Sequence, residues 1–194
     1  MSGSGEENWL ELLETSDALL HGHFRLSSGL HSPAYVQCAR LLEDPGRARR
    51  VGRGLAQRLT AYAPDSVLSP ALGAILVGHE TAAALGVPFR FVEREAGRLA
   101  LRRGFALAPG ERVVVVEDAV TTGGSTRETA EVARALGAEV VAIGAILNRS
   151  GGENPFDVPF ESLVTLELPT YRPEDCPLCR AGSPVVKPGS RPGS

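Results

Sequence analysis

The fold and the chemistry of this chain are decided by one stretch of sequence, Val113-Val114-Val115-Val116-Glu117-Asp118-Ala119-Val120-Thr121-Thr122-Gly123-Gly124-Ser125. Consecutive valines are typical of a strand that is buried on both faces of a parallel sheet. Two adjacent carboxylates, Glu117 and Asp118, follow the valines, and a turn rich in hydroxyl groups and glycine comes next. The stretch therefore predicts a buried strand that ends in an acidic pair and leads into a helix.

The turn after the acidic pair has the features of an anion-binding site. Backbone N–H groups converge at a helix N-terminus, and glycines allow a ligand to approach the backbone closely. A carboxylate repels a phosphate, so the natural partners of the acidic pair are the hydroxyl groups of a ribose or a Mg²⁺-bound group. A phosphate cup beside a carboxylate pair suits a ribose 5-phosphate. The less specific alternative is an ordinary junction between a strand and a helix.

Segments on either side alternate between strands and helices. The helix after the stretch is expected over 125–136, with Ser125 and Glu128 at the spacing of a capping box. Alternation of this kind indicates an α/β fold with a mostly parallel sheet and right-handed crossovers. Ligands of such sheets bind beyond the carboxyl ends of the strands. The other expected strands are 66–69, 88–92, 139–147 and 162–168, and the other expected helices are 6–20, 45–63 and 74–85.

The overall composition narrows the classes of function. The chain has 194 residues and a net charge of −3, whereas a general nucleic-acid binder usually carries a basic excess. No apolar run approaches the roughly 20 residues that a membrane helix needs. The first residues are small and acidic, unlike a signal or transit peptide, and only three cysteines are present. We therefore expect a cytoplasmic protein that contacts neither nucleic acid nor membrane.

The scarcity of lysine excludes two further classes. Lysine and arginine together number 20, and Lys187 is the single lysine. Because Pro188 follows it, no P-loop can form, and its place in a tail rich in Pro, Gly and Ser argues against Schiff-base chemistry. Any phosphate must therefore be bound by backbone amides, hydroxyl groups and arginines.

Residues 113–125 resemble the phosphoribosyl pyrophosphate motif of the type I phosphoribosyltransferases: a hydrophobic strand, two acids, a short spacer and Thr-Thr-Gly-Gly-Ser. The resemblance covers nearly the whole chain and is strongest for the orotate phosphoribosyltransferases. It also rests on segments that resemble the hood over the pyrimidine, the pyrophosphate loop and a strand end that bears an arginine for the substrate carboxylate. These segments are residues 24–29 and 32–35, residues 69–73, and residues 146–149.

The resemblance implies a single phosphoribosyltransferase domain over residues 1–194. It consists of a twisted, mostly parallel sheet flanked by helices, with a small N-terminal hood. The hood is expected over about residues 1–42, the core over about 43–170 and a C-terminal tail over about 171–194. The implied reaction transfers the 5-phosphoribosyl group from phosphoribosyl pyrophosphate to orotate, giving orotidine 5′-monophosphate and pyrophosphate in de novo pyrimidine (UMP) synthesis.

The resemblance also implies a role for individual residues. Glu117 and Asp118 would bind the ribose hydroxyls and stabilise the positive charge that develops at the anomeric carbon. The residues implied for orotate are Tyr35, Val36, Thr121 and Arg149, of which the arginine would pair with the carboxylate. The residues implied for phosphoribosyl pyrophosphate are Glu117, Asp118, Ala119, Val120, Thr121, Thr122, Gly123, Gly124, Ser125, Leu72, Gly73 and Arg94.

Magnesium and a second subunit belong to the same set of expectations. The pyrophosphate would carry Mg²⁺ through its own oxygens and water, so we expect no metal site built from protein side chains. In the family the mobile loop, here residues 93–110, closes over the site of the neighbouring subunit. A homodimer is therefore implied.

The chain departs from the family pattern at the pyrophosphate end. The family places lysines and a histidine at positions that here are Ser27, Gly73, Arg94, Gly97 and the neighbourhood of Leu99. We predict that Arg94 and Arg98 replace them as catalytic residues, with Arg102 or Arg103 as further candidates. An arginine binds pyrophosphate but donates no proton to it. The alternative is a solvated basic loop.

One cysteine pair stands outside this scheme. Cys176-Pro177-Leu178-Cys179 has the spacing of half a zinc site, but no second cysteine pair or nearby histidine completes it in sequence. A local structural turn is the favoured interpretation, and two copies meeting across a dimer axis is the alternative. His21, His23 and His31 lie in the hood segment without a carboxylate at metal-ligand spacing, so hydrogen bonding or a surface position is favoured for them.

Two other functions compete with orotate transfer. A purine phosphoribosyltransferase would share the cup at residues 117–125, but it has no use for the arginine at position 149 or for this hood. A regulator that senses phosphoribosyl pyrophosphate with the same fold would need a DNA-binding domain or a basic face. The N-terminal segment is acidic and contains no helix-turn-helix pattern.

Overall fold

The computed structural model describes residues 7–26 and 28–187, which fall into two compact units. The larger unit spans residues 42–166. The smaller unit combines the N-terminal segment up to residue 41 with the C-terminal segment from residue 167. Ser27, one of the positions at which the sequence departs from the family pattern, lies outside the described residues.

Helices and strands alternate along most of the chain. Two short 3₁₀ helices, Thr60–Tyr62 and Pro173–Asp175, complete the regular structure of the described residues. The elements in chain order are α1 (Trp9–Thr15), β1 (Leu19–Arg25), β2 (His31–Val36), α2 (Cys38–Leu42), α3 (Pro45–Leu59), β3 (Ser66–Pro70), α4 (Ile75–Leu85), β4 (Phe89–Glu95), β5 (Arg98–Leu101), β6 (Arg112–Val120), α5 (Gly124–Ala135), β7 (Glu139–Asn148), β8 (Phe160–Thr165) and α6 (Pro177–Arg180).

The larger unit is built on one six-stranded sheet in the order β5-β4-β3-β6-β7-β8. All neighbouring strands are parallel except β4 and β5, which form an antiparallel hairpin. Val113 to Val116 are fully buried, as expected for a central strand between helices. The predicted α/β fold with a mostly parallel sheet flanked by helices is therefore confirmed.

Local signals explain where several helices begin and end. Asp44 caps α3, since its carboxylate accepts a hydrogen bond from the N–H of Arg47 at 2.7 Å, and Pro45 occupies the first turn. Gly86 ends α4 in the left-handed conformation, with φ of 73°. Within the described residues, no helix combines the length and the apolar character needed to span a membrane.

Two expectations about the bounds of elements need comment. The helix expected over residues 6–20 is wrong, because only α1 forms and β1 has begun by Leu19. Residues 93–110, expected as a long loop with one hairpin as an option, contain that hairpin, since the chain continues β4 to Glu95 and forms β5. Their turn is Ala96-Gly97, whose φ angles of 48° and 85° match a tight hairpin turn. Charged side chains on and beside the hairpin form ion pairs with one another, as between Arg102 and Glu95 at 3.2 Å. The two strands therefore lack the alternation of apolar and polar residues that usually indicates a strand.

The smaller unit is organised around the antiparallel hairpin of β1 and β2. Its C-terminal segment adds a bridge to each strand, with Tyr171 beside His31 and Val186 beside Phe24. The N–H groups of His31 and Tyr171 donate to each other's carbonyl oxygens at 2.8 and 2.9 Å. The end of the described chain is therefore held on both edges of the hairpin.

Candidate active site

Three loops meet where parallel strands of the larger unit end. Gly73 lies in the loop after β3, Thr121 follows β6, and Arg149 follows β7. Val120 is paired with Asn148 in the sheet, and the N–H of Arg149 donates to the carbonyl oxygen of Val120 at 2.7 Å. The carboxyl edge of the sheet thus brings together residues that lie far apart in sequence, as the topology predicts.

The acidic pair lies near the carboxyl end of β6, two residues before the strand ends at Val120, and has a fixed geometry. Glu117 is 7% exposed, and its carboxylate accepts hydrogen bonds from the N–H of Asp118 at 3.2 Å and from the hydroxyl of Thr126 at 3.5 Å. The N–H of Ala119 donates to the Asp118 carboxylate at 2.7 Å. Backbone amides therefore position both side chains before any ligand arrives.

Burial makes the two carboxylates unequal. Desolvation, together with the nearby charge of Asp118, raises the pKa of Glu117 to about 8. At neutral pH the pair therefore retains a proton on Glu117. It offers ligand hydroxyl groups both a hydrogen-bond donor and an acceptor.

The loop after β3 is in contact with the acidic pair. A Cβ atom placed on Gly73 would lie 2.6 Å from Oδ2 of Asp118, so the backbone of Gly73 lies directly against that carboxylate. The neighbouring Leu72 is 84% exposed, and the peptide bond between Ala71 and Leu72 is cis. Exposed backbone of this loop thus borders the carboxylate pair directly.

The turn after β6 leaves the start of α5 open. Gly123 precedes the helix with a positive φ of 74°, and no side chain caps the helix there. A Cβ atom on Gly123 would lie 2.7 Å from the ring of Phe156, which fixes a glycine at this corner. The surrounding residues Thr121, Thr122, Gly124 and Ser125 are exposed. Free N–H groups and hydroxyls at a helix N-terminus form a cradle for a phosphate.

The expected capping box does not form, because Glu128 is used elsewhere. Its carboxylate accepts the N–H of Leu99 at 2.8 Å and pairs with the guanidinium of Arg94 at 3.1 Å. Arg94 also donates to the carbonyl oxygen of Gly97 at 2.8 Å. The hairpin of β4 and β5 is thereby joined to the first turns of α5, while Arg98 is exposed on the same hairpin.

The residues expected to bind the aromatic substrate fall in different units. Arg149 lies at the sheet edge of the larger unit and is half-buried. Tyr35 and Val36 lie on β2 of the smaller unit, where the ring centroids of Tyr35 and Phe24 are 6.0 Å apart. The roles of Tyr35 and Val36 stay predictions from the resemblance.

Three residues at the site make contacts that the sequence pattern does not predict. Thr126 supports Glu117, Phe156 packs against Gly123, and Glu128 joins α5 to the hairpin. Thr126 lies nine residues after Glu117 in the sequence. The two residues come into contact only because the turn after β6 folds α5 back over the strand. Phe156 comes from a loop beyond β7 that carries no motif. No signal along the sequence points to either contact.

Comparisons with known proteins agree with this geometry. Residues 37–171 match the phosphoribosyl transferase domain family. Two curated relatives are orotate phosphoribosyltransferases: one from Thermotoga maritima is 53% identical over 181 residues (93% of this chain and 97% of the relative), and one from Caldanaerobacter subterraneus is 48% identical over 186 residues (96% and 98%). The crystal structure of orotate phosphoribosyltransferase from Aeropyrum pernix is similar with a TM-score of 0.65 and 28% identity, covering 81% of this chain and 93% of that one.

Replacing Glu117 with glutamine should remove a pH dependence of stability. The pKa of Glu117 is about 8 in the folded chain, against an ordinary value of 4.5. Between these values the native state binds more protons than the unfolded state, so the free energy of unfolding falls, by a few kcal/mol in all, as pH rises. The Glu117→Gln chain should therefore gain stability relative to wild type between pH 5 and pH 8, measured by urea unfolding.

Glu131→Gln serves as the control, because Glu131 is exposed on α5 and lies outside the carboxylate pair. Its profile should run parallel to that of the wild type. A Glu117→Gln profile that is also parallel to the wild type would contradict the burial argument.

Proposed function

The chain belongs to the phosphoribosyltransferase family and, within it, to the orotate phosphoribosyltransferases, and we propose that it transfers the 5-phosphoribosyl group of phosphoribosyl pyrophosphate to orotate. The products are orotidine 5′-monophosphate and pyrophosphate, in the pathway of pyrimidine synthesis. One observation carries the proposal: a hydrogen-bonded carboxylate pair lies near the carboxyl end of β6, and the open N-terminus of α5 follows after a short turn. That arrangement matches the two ends of a ribose 5-phosphate.

The 5-phosphate binds at the start of α5. Backbone N–H groups from Gly124 onward and the hydroxyls of Thr121, Thr122 and Ser125 surround it without a formal positive charge. Such a neutral cradle attracts the dianion through hydrogen bonds and the helix dipole. It is consistent with a chain that has no lysine in this region.

Glu117 and Asp118 act on the ribose ring. The proton that Glu117 retains lets the pair donate to one ribose hydroxyl and accept from the other. As pyrophosphate leaves, positive charge develops on the ring, and negative charge fixed beside it stabilises the transition state more than the ground state. The backbone amides that position the carboxylates mean that little reorganisation is needed at that moment.

Arg149 binds the carboxylate of orotate. A guanidinium and a carboxylate form two parallel hydrogen bonds, which a purine base cannot reproduce. The register of β7 beside β6 places Arg149 next to Val120 and so next to the ribose-binding residues. This residue is what favours orotate over a purine.

Pyrophosphate lies against the loop after β3 and is neutralised by arginines of the hairpin. The backbone around Gly73 borders the Asp118 carboxylate, so it faces the anomeric carbon end of the substrate. Arg98 is exposed on the hairpin, and Arg94 is held by Glu128 at the base of α5. Release of Arg94 from that ion pair would free its guanidinium for pyrophosphate.

Magnesium would enter the site with the substrate. Mg²⁺ binds oxygen ligands and usually retains several waters, so the oxygens of phosphoribosyl pyrophosphate and water would supply most of its ligands. When bound, the ion would neutralise charge on the pyrophosphate. Of the acidic pair, Asp118 would face the ion or its bound water, since Glu117 retains a proton.

Assembly and location complete the proposal. A homodimer in which residues 93–110 complete the site of the neighbouring subunit agrees with the family resemblance. A reducing cytoplasm agrees with the free thiols of Cys38, Cys176 and Cys179.

Wild-type protein should consume orotate, and neither adenine nor hypoxanthine, when phosphoribosyl pyrophosphate and Mg²⁺ are supplied. Arg149→Ala should raise the KM for orotate at least about tenfold, because a bidentate charged hydrogen bond is lost. The loss of orotate absorbance over time measures the orotate activity of the wild type and the orotate KM of the variant. Arg134→Ala is the control, since Arg134 pairs with Asp157 at 2.8 Å in the last turn of α5. An orotate KM that ignores Arg149→Ala would overturn the orotate assignment.

The double variant Arg94→Ala, Arg98→Ala should weaken pyrophosphate in the reverse reaction. We expect its KM to rise by roughly tenfold or more, because two guanidinium contacts are removed. Steady-state kinetics of pyrophosphorolysis test this. Glu128→Gln, which releases Arg94 from its ion pair and leaves both arginines in place, should not raise the pyrophosphate KM. Unchanged kinetics in the double variant would instead support a merely solvated basic loop.

Mixing two impaired variants, assayed with pyrophosphate well below the KM of the double arginine variant, tests the shared site. Asp118→Asn lacks a ribose contact and the double arginine variant lacks the hairpin contacts, so a hybrid dimer holds one complete site. Random pairing should restore activity to about a quarter of wild type. Exchange of subunits is verified by co-purification with a tagged chain. Exchange without recovered activity would contradict a hairpin that acts across subunits.

A further inference from the structure

Four potential metal ligands meet in the smaller unit. His23, His31, Cys176 and Cys179 each offer one atom, and these atoms all lie within 4.8 Å of one another. The histidines come from the β1–β2 hairpin and the cysteines from the C-terminal segment. We propose that these four residues bind a single zinc ion that joins the two segments.

The distances match a tetrahedral site. The Sγ atom of Cys176 lies 3.5 Å from Nε2 of His23, and Sγ of Cys179 lies 3.3 Å from Nδ1 of His31 and 3.7 Å from Nε2 of His23. Ordinary zinc–sulfur and zinc–nitrogen bond lengths give sulfur–nitrogen edges of about 3.6 Å in a tetrahedron. The two nitrogens are 2.8 Å apart, so they need to separate by roughly half an ångström to admit the ion.

The imidazole of His23 is already oriented for a metal. Its Nδ1 lies 2.8 Å from the carbonyl oxygen of Ser183, which can only accept a hydrogen bond. Nδ1 therefore carries the proton and Nε2 presents its lone pair to the cluster. A carbonyl behind a metal-binding histidine is the usual outer-sphere support that fixes the tautomer.

The backbone brings the ligands together through two devices. The β1–β2 register shifts between His21 and Phe24, and a bulge of this kind re-aims a side chain, here that of His23. Bridges to Tyr171 and Val186 fix the C-terminal segment at either side of the cysteine turn. The four side chains are thus held by hydrogen-bonded backbone that does not depend on the ligand atoms themselves.

The position of the histidines corrects the expectation from sequence. The pattern Cys176-Pro177-Leu178-Cys179 favours a local turn because no histidine lies near it along the chain. That premise is wrong in space, since His23 and His31 reach the pair from about 150 positions away. Spacing rules find ligands only when both pairs lie close in sequence.

The donor set selects zinc among the common metals. Two thiolates and two imidazoles in a tetrahedral arrangement suit zinc, whereas magnesium and calcium require oxygen ligands. A two-iron cluster would keep the sulfur and nitrogen ligands on separate irons. Here each of the two sulfurs lies beside a histidine nitrogen, which favours one ion. With four protein ligands, three of them buried, the site has no open position and its role is structural.

Such a site supplies stability that the smaller unit needs. The unit contains one two-stranded sheet and short helices, so its own apolar core is limited. A bound ion would close the loop between the N-terminal hairpin and the C-terminal segment. The free energy of binding the ion then contributes to folding.

Tag-free protein purified without chelators should contain about one zinc per chain by elemental mass spectrometry. Cys179→Ser should reduce this below about one tenth, because Cys179 is exposed and its replacement disturbs no packing. His21→Gln and Cys38→Ser are matched controls outside the cluster and should keep full zinc.

Cobalt reconstitution of the wild type should give the visible bands of tetrahedral cobalt and a thiolate charge-transfer band. Cys179→Ser should lose the charge-transfer band.

Stripping zinc from the wild type should lower Tm by at least about 5 °C and expose the C-terminal segment to protease, with recovery on adding zinc alone. Negligible zinc both as purified and after reconstitution would overturn the proposal and leave a hydrogen-bonded cluster. So would stoichiometric iron, a Cys176–Cys179 disulfide in the native protein, or full zinc in Cys179→Ser.

Discussion

The burial of Glu117 beside a second carboxylate, near the end of a central strand, is the constraint on which the larger unit depends. Glu117 loses most of its water, and its pKa rises to about 8 in response. The surrounding backbone compensates through amide donors and through the hydroxyl of Thr126. Gly123 is needed because its φ is positive and the ring of Phe156 leaves no room for a Cβ atom. The backbone of Gly73 lies directly against the Asp118 carboxylate. A pair that is costly to bury is thereby kept beside a helix N-terminus that attracts phosphate.

The central sheet and this site were largely predictable from the sequence, for a local reason. A run of valines, an acidic pair and a glycine-rich turn each impose a conformation on their own neighbours. Parallel topology then brings the ends of β3, β6 and β7 together without any further signal. The placement of Gly73 and Arg149 beside the β6 end follows from that topology and is confirmed by their contacts.

What could not be predicted depends on contacts between distant segments. A hairpin within residues 93–110 was an option from the sequence, but its strand bounds were not, because its charges are satisfied by partners across strands and on α5 and leave no apolar periodicity. Glu128 has the spacing of a cap but binds the hairpin instead. The cysteine turn acquires its histidine neighbours only after the C-terminal segment pairs with the β1–β2 hairpin. In each case the stabilising contacts join segments that lie far apart in sequence. No periodic pattern of residues along the chain indicates such contacts.

The 5-phosphate is proposed to bind in the α5 cradle and the base beside Arg149, and one binding measurement tests both positions together. Isothermal titration should show orotidine 5′-monophosphate binding at least about 100-fold more tightly than orotidine, because several hydrogen bonds to the phosphate are lost in the nucleoside. Adenosine 5′-monophosphate, which keeps the phosphate but lacks the base carboxylate, should bind far more weakly than orotidine 5′-monophosphate. Equal affinities for orotidine and its monophosphate would contradict the phosphate cradle, and with it the central claim.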